Sequence, residues 1–171
     1  MCRLIILGGN PGSGKTTISK RLKKQHFVHL EIDSFYQKAP RTPKIQNWFE
    51  DQDFLDAAYS DFKEAILNHL GQHHDVVIET AGFGKRWKRL LIELESRFPN
   101  QIISIYLDCS KETSLKRIDE RNATNHPIKI TEKRLETFLS LGKDASNTFQ
   151  HVINANRPID EVFEDITKIL R

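Results

Sequence analysis

Cysteine is scarce in this sequence, and no long apolar run occurs. The two cysteines, Cys2 and Cys109, are too few for a framework of disulfide bonds, and both are compatible with a reducing compartment. No stretch approaches the roughly 20 consecutive apolar residues that a membrane helix requires. The apolar run at residues 4–7 ends in glycines and stands too close to Met1 for a signal peptide. We therefore expect a cytoplasmic protein that has no membrane partner.

A strong excess of one charge is also lacking. The lysines and arginines number 26 and the aspartates and glutamates 23, a net charge of only +3. This balance argues against nonspecific DNA binding as the main task, although it is compatible with a polyanionic substrate. A chain of 171 residues can bury one substantial core. We expect a single domain over residues 1–171.

Short, nearly continuous apolar runs alternate with segments of helical periodicity. The runs lie at residues 4–7, 27–32, 76–78, 102–107 and 152–153. Helical spacing of apolar residues marks the segments between them, for example Leu55, Ala58, Phe62, Ile66 and Leu70. Nearly continuous runs are typical of strands that are buried on both faces. The alternation predicts right-handed βαβ units, and hence an α/β fold in which helices cover both faces of a parallel sheet.

The most specific motif directly follows the first predicted strand. It reads Gly9-Asn10-Pro11-Gly12-Ser13-Gly14-Lys15-Thr16, which matches G-x-x-x-x-G-K-[ST] and is followed by Thr17 and a helical segment. Free backbone N–H groups at such a helix start bind phosphates, Lys15 would reach the β- and γ-phosphates, and the Thr16 hydroxyl would bind Mg²⁺. We predict a site for ATP and Mg²⁺ over residues 9–17. A simple turn is the alternative, and the motif by itself does not select kinase, GTPase or motor ATPase.

Acidic residues end two of the predicted strands, at the edge of the sheet where ligands gather in parallel α/β folds. Asp33 is the candidate base that orients an acceptor hydroxyl and takes its proton. Glu79 is predicted to organise Mg²⁺ through water or to contact the acceptor. Helix capping is the alternative for Asp33, and capping or solvation for Glu79.

Arginines supply the positive charge that phosphoryl transfer needs. Arg117 and Arg121 lie one helical turn apart on one face, and we predict that they neutralise the γ-phosphate from a lid at about residues 117–130. Arg86 belongs to the basic run at residues 85–89 and could bind the acceptor. A solvated charged face is the alternative for each of these groups.

The run Asp33-Ser34-Phe35-Tyr36 resembles the corresponding run of uridine kinases, in which the aspartate acts on the acceptor hydroxyl. A similar aspartate occurs in polynucleotide 5′-kinases and zeta-toxin-like kinases. The arginine spacing resembles the R-x-x-x-R of adenylate kinase-like and gluconate kinase-like proteins. The segment at 152–158, which contains Arg157, is similar to the last strand and the adenine-side turn of this group.

The resemblance implies a P-loop fold of the nucleoside and nucleotide kinase-like group. Its sheet would have five parallel strands in the order 2-3-1-4-5, helices on both sides and a short mobile lid. The resemblance places Arg157 beside the nucleotide. Independently of the resemblance, Phe35, Tyr36, Trp48 and Phe49 are predicted to line an acceptor pocket through stacking, with a place in the core as the alternative. The sequence departs from uridine kinases after the third strand, where Glu79-Thr80-Ala81-Gly82 replaces a glutamate-glycine pair.

We interpret the chain as a small kinase that transfers the γ-phosphoryl group of Mg²⁺·ATP to a nucleoside-like or nucleotide-like acceptor. A polynucleotide 5′-hydroxyl kinase is an alternative, based on residues 85–89 and on the basic loop around Arg41 and Lys44. An ATP-dependent switch without an acceptor is a third. The guanine-reading motif Asn/Thr-Lys-x-Asp is absent from the sequence, which weakens the GTPase interpretation. The identity of the acceptor and the oligomeric state stay open at this stage.

Overall fold

A computed structural model describes residues 2–38, 51–124 and 130–171. The loop around Arg41 and Lys44, together with the aromatic residues Trp48 and Phe49, lies outside these ranges. So do residues 125–129 of the predicted lid. No helix in the described ranges is long and apolar enough to cross a membrane.

Five strands alternate with helices along the described chain. The strands are β1 (Leu4–Gly9), β2 (Val28–Glu31), β3 (Val76–Glu79), β4 (Ile102–Asp108) and β5 (His151–Asn154). The helices are α1 (Lys15–Lys23), α2 (Ile32–Lys38), α3 (Gln52–Gly71), α4 (Lys85–Arg97), α5 (Lys111–Asn122), α6 (Glu132–Leu141) and α7 (Ile159–Ile169). A short 3₁₀ helix, Ala145–Thr148, precedes β5.

The sheet has the strand order β2-β3-β1-β4-β5, and every neighbouring pair is parallel. β1 is central, and all six of its residues are buried. Ile5 and Leu7 pack in a core with α1 and α7, whereas Leu4 and Ile6 pack in a second core with α3 and α4. The predicted α/β class, the strand order and the helical layers on both faces are confirmed.

Three helices begin at residues whose side chains accept a backbone hydrogen bond. Asp51 accepts from the N–H of Phe54 at the start of α3, and Ser110 and Thr131 accept in the same way at α5 and α6. Helix α1 differs because Gly14, in the left-handed conformation, precedes it without a side-chain cap. The first N–H groups of α1 therefore remain available for an anion.

Phe149 fills the space beneath the end of β1. Its ring centroid lies 5.3 Å from that of Tyr106. A Cβ at Gly8 would lie 2.6 Å from Phe149 Cε1 and 2.9 Å from Tyr106 Cδ2, and a Cβ at Gly82 would lie 2.9 Å from Phe149 Cε2. The absence of side chains at Gly8 and Gly82 thus lets one aromatic ring support both the phosphate loop and the loop after β3.

We expect Gly8→Ala to lower the free energy of unfolding by about 1–3 kcal/mol, the usual cost of overpacking a core. Phe149→Leu in the same chain should recover part of that loss, because the added methyl group gains space. Urea denaturation of the single and double variants measures the coupling. Gly71→Ala is the matched control, since no atom of the described residues lies within 4 Å of the added Cβ. Equal stability of Gly8→Ala and Gly71→Ala would contradict the packing interpretation.

Candidate active site

The predicted phosphate loop joins β1 to α1 and requires glycine at three positions. Gly9, Gly12 and Gly14 have φ values of 140°, 83° and 98°, a range that side chains disfavour. A Cβ at Gly12 would also lie 2.6 Å from the carbonyl oxygen of Ser114 in α5. The loop therefore packs directly on α5, and Asn10 and Ser13 are buried within it.

Lys15 folds back over its own loop. Its Nζ donates to the carbonyl oxygens of Gly9 (2.7 Å) and Asn10 (3.0 Å) and lies 3.5 Å from Ser13 Oγ. Burial lowers the pKa of Lys15, with a further decrease from Arg121, while the carboxylates of Glu79 and Asp33 oppose the shift. The ammonium group is thus buried among polar atoms of the loop, and an added negative charge would stabilise its charged form.

Glu79 is the most deeply placed carboxylate of the site, with 5% of its surface exposed. Its Oε2 accepts a hydrogen bond from the Thr16 hydroxyl (2.8 Å), and its Oε1 lies 2.7 Å from His29 Nε2. Burial alone would raise the pKa of Glu79, but the contacts with His29, Lys15 and Thr16 together hold it below its ordinary value. A hydroxyl and an ionised carboxylate side by side are oxygen donors of the kind that Mg²⁺ prefers, so the residues fit this ion.

The carboxyl end of β2 adds two further acidic side chains. Glu31 pairs in register with Glu79, and α2 begins directly afterwards, so Asp33 lies in the first turn of a helix. Burial raises the pKa of Glu31, and the neighbouring charges of Glu79 and Asp33 raise it further. One potential metal-binding atom from each of His29, Glu31 and Glu79 lies within 4.8 Å of the other two.

Sequence reasoning missed His29 and Glu31. They occupy alternate positions in a run that is otherwise apolar, Val28-His29-Leu30-Glu31. Two polar side chains on one face of a short strand are the signal that could have identified them.

The two predicted arginines of α5 have different surroundings. Arg117 donates from Nη1 to the carbonyl oxygen of Gly12 (3.3 Å) and from Nη2 to that of Arg157 (3.1 Å). It thereby connects the phosphate loop with the turn after β5. Arg121 instead has buried Nε and Nη2 atoms that lack a hydrogen-bond partner within the described ranges. Burial lowers the pKa of Arg121, whereas the charges of Asp33 and Glu31 raise it.

Arg157 lies along α7 in this structure. Its Nη2 is 2.6 Å from Asp165 Oδ2, and its Nε donates to the carbonyl oxygen of Asn154 at 3.2 Å. The predicted contact of Arg157 with the nucleotide stays a prediction.

The predicted acceptor residues Phe35 and Tyr36 lie on α2 and pack against α3, whereas Glu79 ends β3 and Arg86 lies on α4. Phe35 contacts Phe62 of the core edge to face, at 5.3 Å between centroids. Tyr36 stacks on Phe54 at 6.3 Å and lies 6.4 Å from Tyr59. Burial raises the pKa of Tyr36 strongly. These rings form an aromatic cluster, which we define as Tyr36, Phe54 and Tyr59.

Arg86 joins α4 to α3 beside this cluster. Its Nε donates to Asp56 Oδ1 (2.5 Å) and its Nη2 to Gln52 Oε1 (2.9 Å). The next residue, Trp87, is 3% exposed and packs inward. Lys85, Lys88 and Arg89 are exposed, so the basic run at residues 85–89 is divided between structural contacts and solvent.

A family model described as an AAA domain matches residues 4–142 of the chain. Chicken adenylate kinase isoenzyme 1 is 25% identical, with coverage of 98% of this chain and 94% of the relative. Shikimate kinase of Enterococcus faecalis is 27% identical, with 98% coverage of both chains. Human adenylate kinase isoenzyme 5 is 27% identical over 95% of this chain, which spans only 31% of that longer protein.

Solved structures share the fold at lower sequence identity. A sugar kinase from Janibacter sp. superposes with a TM-score of 0.73 at 17% identity, covering 99% of this chain and 95% of the other. The shikimate kinase of Acinetobacter baumannii in complex with shikimate gives 0.65 at 19% identity, covering 99% and 93%. These similarities extend over the whole chain and establish the fold.

We expect Lys15→Met to raise the midpoint of thermal unfolding of the ligand-free protein, because the burial cost of the Lys15 charge outweighs its attraction to Glu79 and Asp33, as its lowered pKa indicates. A gain of about 1 kcal/mol would correspond to roughly 2–4 °C for a chain of this size. The same variant should lose the stabilisation that added Mg²⁺·ATP gives to the wild type. Lys23→Met, at an exposed position of the same helix, should change neither quantity. A lower midpoint for Lys15→Met would show that the loop depends on the ammonium group.

Proposed function

Because the chain belongs to the AAA domain family and is a P-loop small-molecule kinase, we propose that it transfers the γ-phosphoryl group of Mg²⁺·ATP to a hydroxyl group of a nucleoside-like or nucleotide-like acceptor. One observation carries the proposal. The charges of Lys15, Asp33 and Arg121 act on one another although they come from α1, α2 and α5. Two cations and a carboxylate that converge in this way suit a phosphoryl group and the hydroxyl that attacks it.

The proposed role of each residue follows from its surroundings. Lys15 would exchange the loop carbonyls for phosphate oxygens, since its ammonium group already lies among the loop's polar atoms. Arg121 would donate to the γ-phosphate from Nε and Nη2, which have no hydrogen-bond partner among the described residues. We assign this role to Arg121 rather than to Arg117, because the guanidinium of Arg117 already binds two backbone carbonyls.

Thr16 and Glu79 are the residues that would hold Mg²⁺, which neutralises charge on the β- and γ-phosphates when bound. Asp33 would orient the acceptor hydroxyl and accept its proton as the new P–O bond forms. Most of the rate acceleration would then come from positioning and electrostatics, because the chain supplies no covalent nucleophile in this scheme.

The aromatic cluster supports an acceptor that has a planar or apolar face. Burial raises the pKa of Tyr36 and of Tyr59, and the charge of Asp33 raises both further. The two rings and the proposed base are therefore close together. A base or the apolar face of a sugar could stack there. An acceptor phosphate would have to compete with Asp56 for Arg86, which favours a nucleoside over a nucleotide.

We expect Lys15→Ala and Asp33→Asn both to abolish transfer, while only Lys15→Ala severely weakens ATP binding. Loss of a general base lowers the rate by about 10²–10⁴-fold. The measurements are ADP release against a panel of nucleosides, nucleotides, sugars, small hydroxy acids and 5′-hydroxyl oligonucleotides, and calorimetric titration with Mg²⁺·ATP. Asp61→Asn, an exposed change on α3, is the control and should keep the wild-type rate.

Two outcomes would contradict the scheme. Wild-type transfer by Asp33→Asn would remove Asp33 from the role of base. Slow hydrolysis that no acceptor accelerates and that Asp33→Asn leaves unchanged would favour the ATP-dependent switch.

A polynucleotide 5′-hydroxyl acceptor is the second candidate, favoured by the exposed Lys85, Lys88 and Arg89 on α4. If these residues bind a strand, affinity for a 5′-hydroxyl oligonucleotide should fall with salt, with a logarithmic slope of about −0.7 for each phosphate contacted. Replacing all three by glutamine should flatten that slope and leave ATP binding unchanged. Phosphorylation of free nucleosides with no such salt dependence would exclude this candidate.

A further inference from the structure

We propose that His29 is a positioning residue whose hydrogen bond to Glu79 sets the direction of the Thr16 hydroxyl, and thereby the affinity of the site for Mg²⁺. The inference rests on the proposed function because it takes Thr16 and Glu79 as the residues that hold the metal. It adds a residue that would act without touching the nucleotide or the acceptor.

The sheet fixes the position of His29 relative to Glu79. β2 and β3 are parallel, with His29 opposite Val77 and Glu31 opposite Glu79. Side chains at alternate positions share a face of the sheet, so His29 and Glu79 both lie on the side where Val77 packs with Ile18 and Leu22 of α1. The two side chains are 11% and 5% exposed. Their contact is therefore largely shielded from solvent and is held by the backbone of two strands.

Glu79 depends on this contact for one of its two oxygens. Oε2 accepts from Thr16, while the contact at Oε1 is made by His29 Nε2. Within residues 2–38, 51–124 and 130–171 no other hydrogen bond to Oε1 occurs. A buried carboxylate oxygen without a donor costs free energy, so loss of His29 would favour rotation of the Glu79 side chain.

The orientation of Thr16 follows from the position of the Glu79 carboxylate, whose Oε2 accepts the hydrogen bond from the Thr16 hydroxyl at 2.8 Å. A threonine hydroxyl has one proton and two lone pairs. While the Thr16 hydroxyl donates this hydrogen bond to Glu79 Oε2, the lone pairs of the Thr16 oxygen point away from the carboxylate and can bind a cation. If the Glu79 side chain turned, the Thr16 hydroxyl could donate elsewhere, and its oxygen would no longer be held for the metal. The sequence of contacts is thus His29, Glu79, Thr16 and then Mg²⁺.

The test compares His29→Leu, which removes the hydrogen bond, with His29→Gln, whose side-chain N–H can replace it. Calorimetry gives the affinity for a nonhydrolysable ATP analogue in Mg²⁺ and in EDTA, and the ratio of the two is the Mg²⁺ enhancement. We expect His29→Leu to lower this enhancement on the order of 10-fold, as is usual when the partner of a metal-binding residue is removed. Binding in EDTA should stay unchanged, and His29→Gln should recover most of the loss.

His151→Leu, an exposed change at the start of β5, controls for the loss of a histidine and should keep the wild-type enhancement. Thermal unfolding and near-ultraviolet circular dichroism check that each variant is folded. An equal enhancement in wild type and folded His29→Leu would overturn the inference. So would a wild-type preference for Zn²⁺ or Mn²⁺ over Mg²⁺ that His29→Gln abolishes, because His29 would then be a ligand. Absence of any enhancement in the wild type would instead contradict the proposed function itself, and the inference with it.

Discussion

The site depends on one constraint, which is that the buried carboxylate of Glu79 must stay ionised at the end of β3. Burial works against its charge, and three neighbours compensate for the cost: His29 from β2, and Lys15 and Thr16 from the start of α1. These neighbours can meet at Glu79 only because β3 lies between β2 and β1 in the sheet. The strand order and the electrostatics of the site are therefore two aspects of the same requirement.

The phosphate loop and the acidic strand ends meet because all five strands run in one direction. Parallel strands bring their carboxyl ends to a single edge, and there Gly9, Glu31 and Glu79 close β1, β2 and β3. Arg117 and Phe149 then fix the loop from outside the sheet. The first binds the Gly12 carbonyl oxygen, and the second fills the space that Gly8 and Gly82 leave open. The glycines thus serve both the curvature of the loop and its close packing.

The sequence predicts the features that depend on neighbouring residues or on periodicity. The phosphate loop is a contiguous motif, and the buried parallel strands appear as apolar runs. These two patterns predict the fold class, whereas the strand order is implied by the resemblance to P-loop kinases. What the sequence does not predict depends on contacts between distant residues. Arg117 and Arg121 share a helix face, yet Arg117 binds the carbonyl oxygens of residues 12 and 157. Two buried nitrogens of Arg121, by contrast, have no hydrogen-bond partner in the part of the chain that the structure describes. The sequence does not single out His29, because the apolar residues of its strand dominate the hydrophobic pattern.

The charges of the site also explain why metal and nucleotide suit it together. Burial raises the pKa of Glu31, and repulsion by the charges of Glu79 and Asp33 raises it further. A divalent cation would relieve that repulsion. Lys15 and Arg121 are both disfavoured by burial, as their lowered pKa values show, and a triphosphate would relieve that cost. A cation alone would add to the cost of Lys15 and Arg121, and a triphosphate alone would add to the repulsion among the carboxylates. In the proposed function, therefore, the site suits the Mg²⁺·ATP complex. Mg²⁺ would supply positive charge beside the carboxylates, and the triphosphate would supply negative charge beside Lys15 and Arg121.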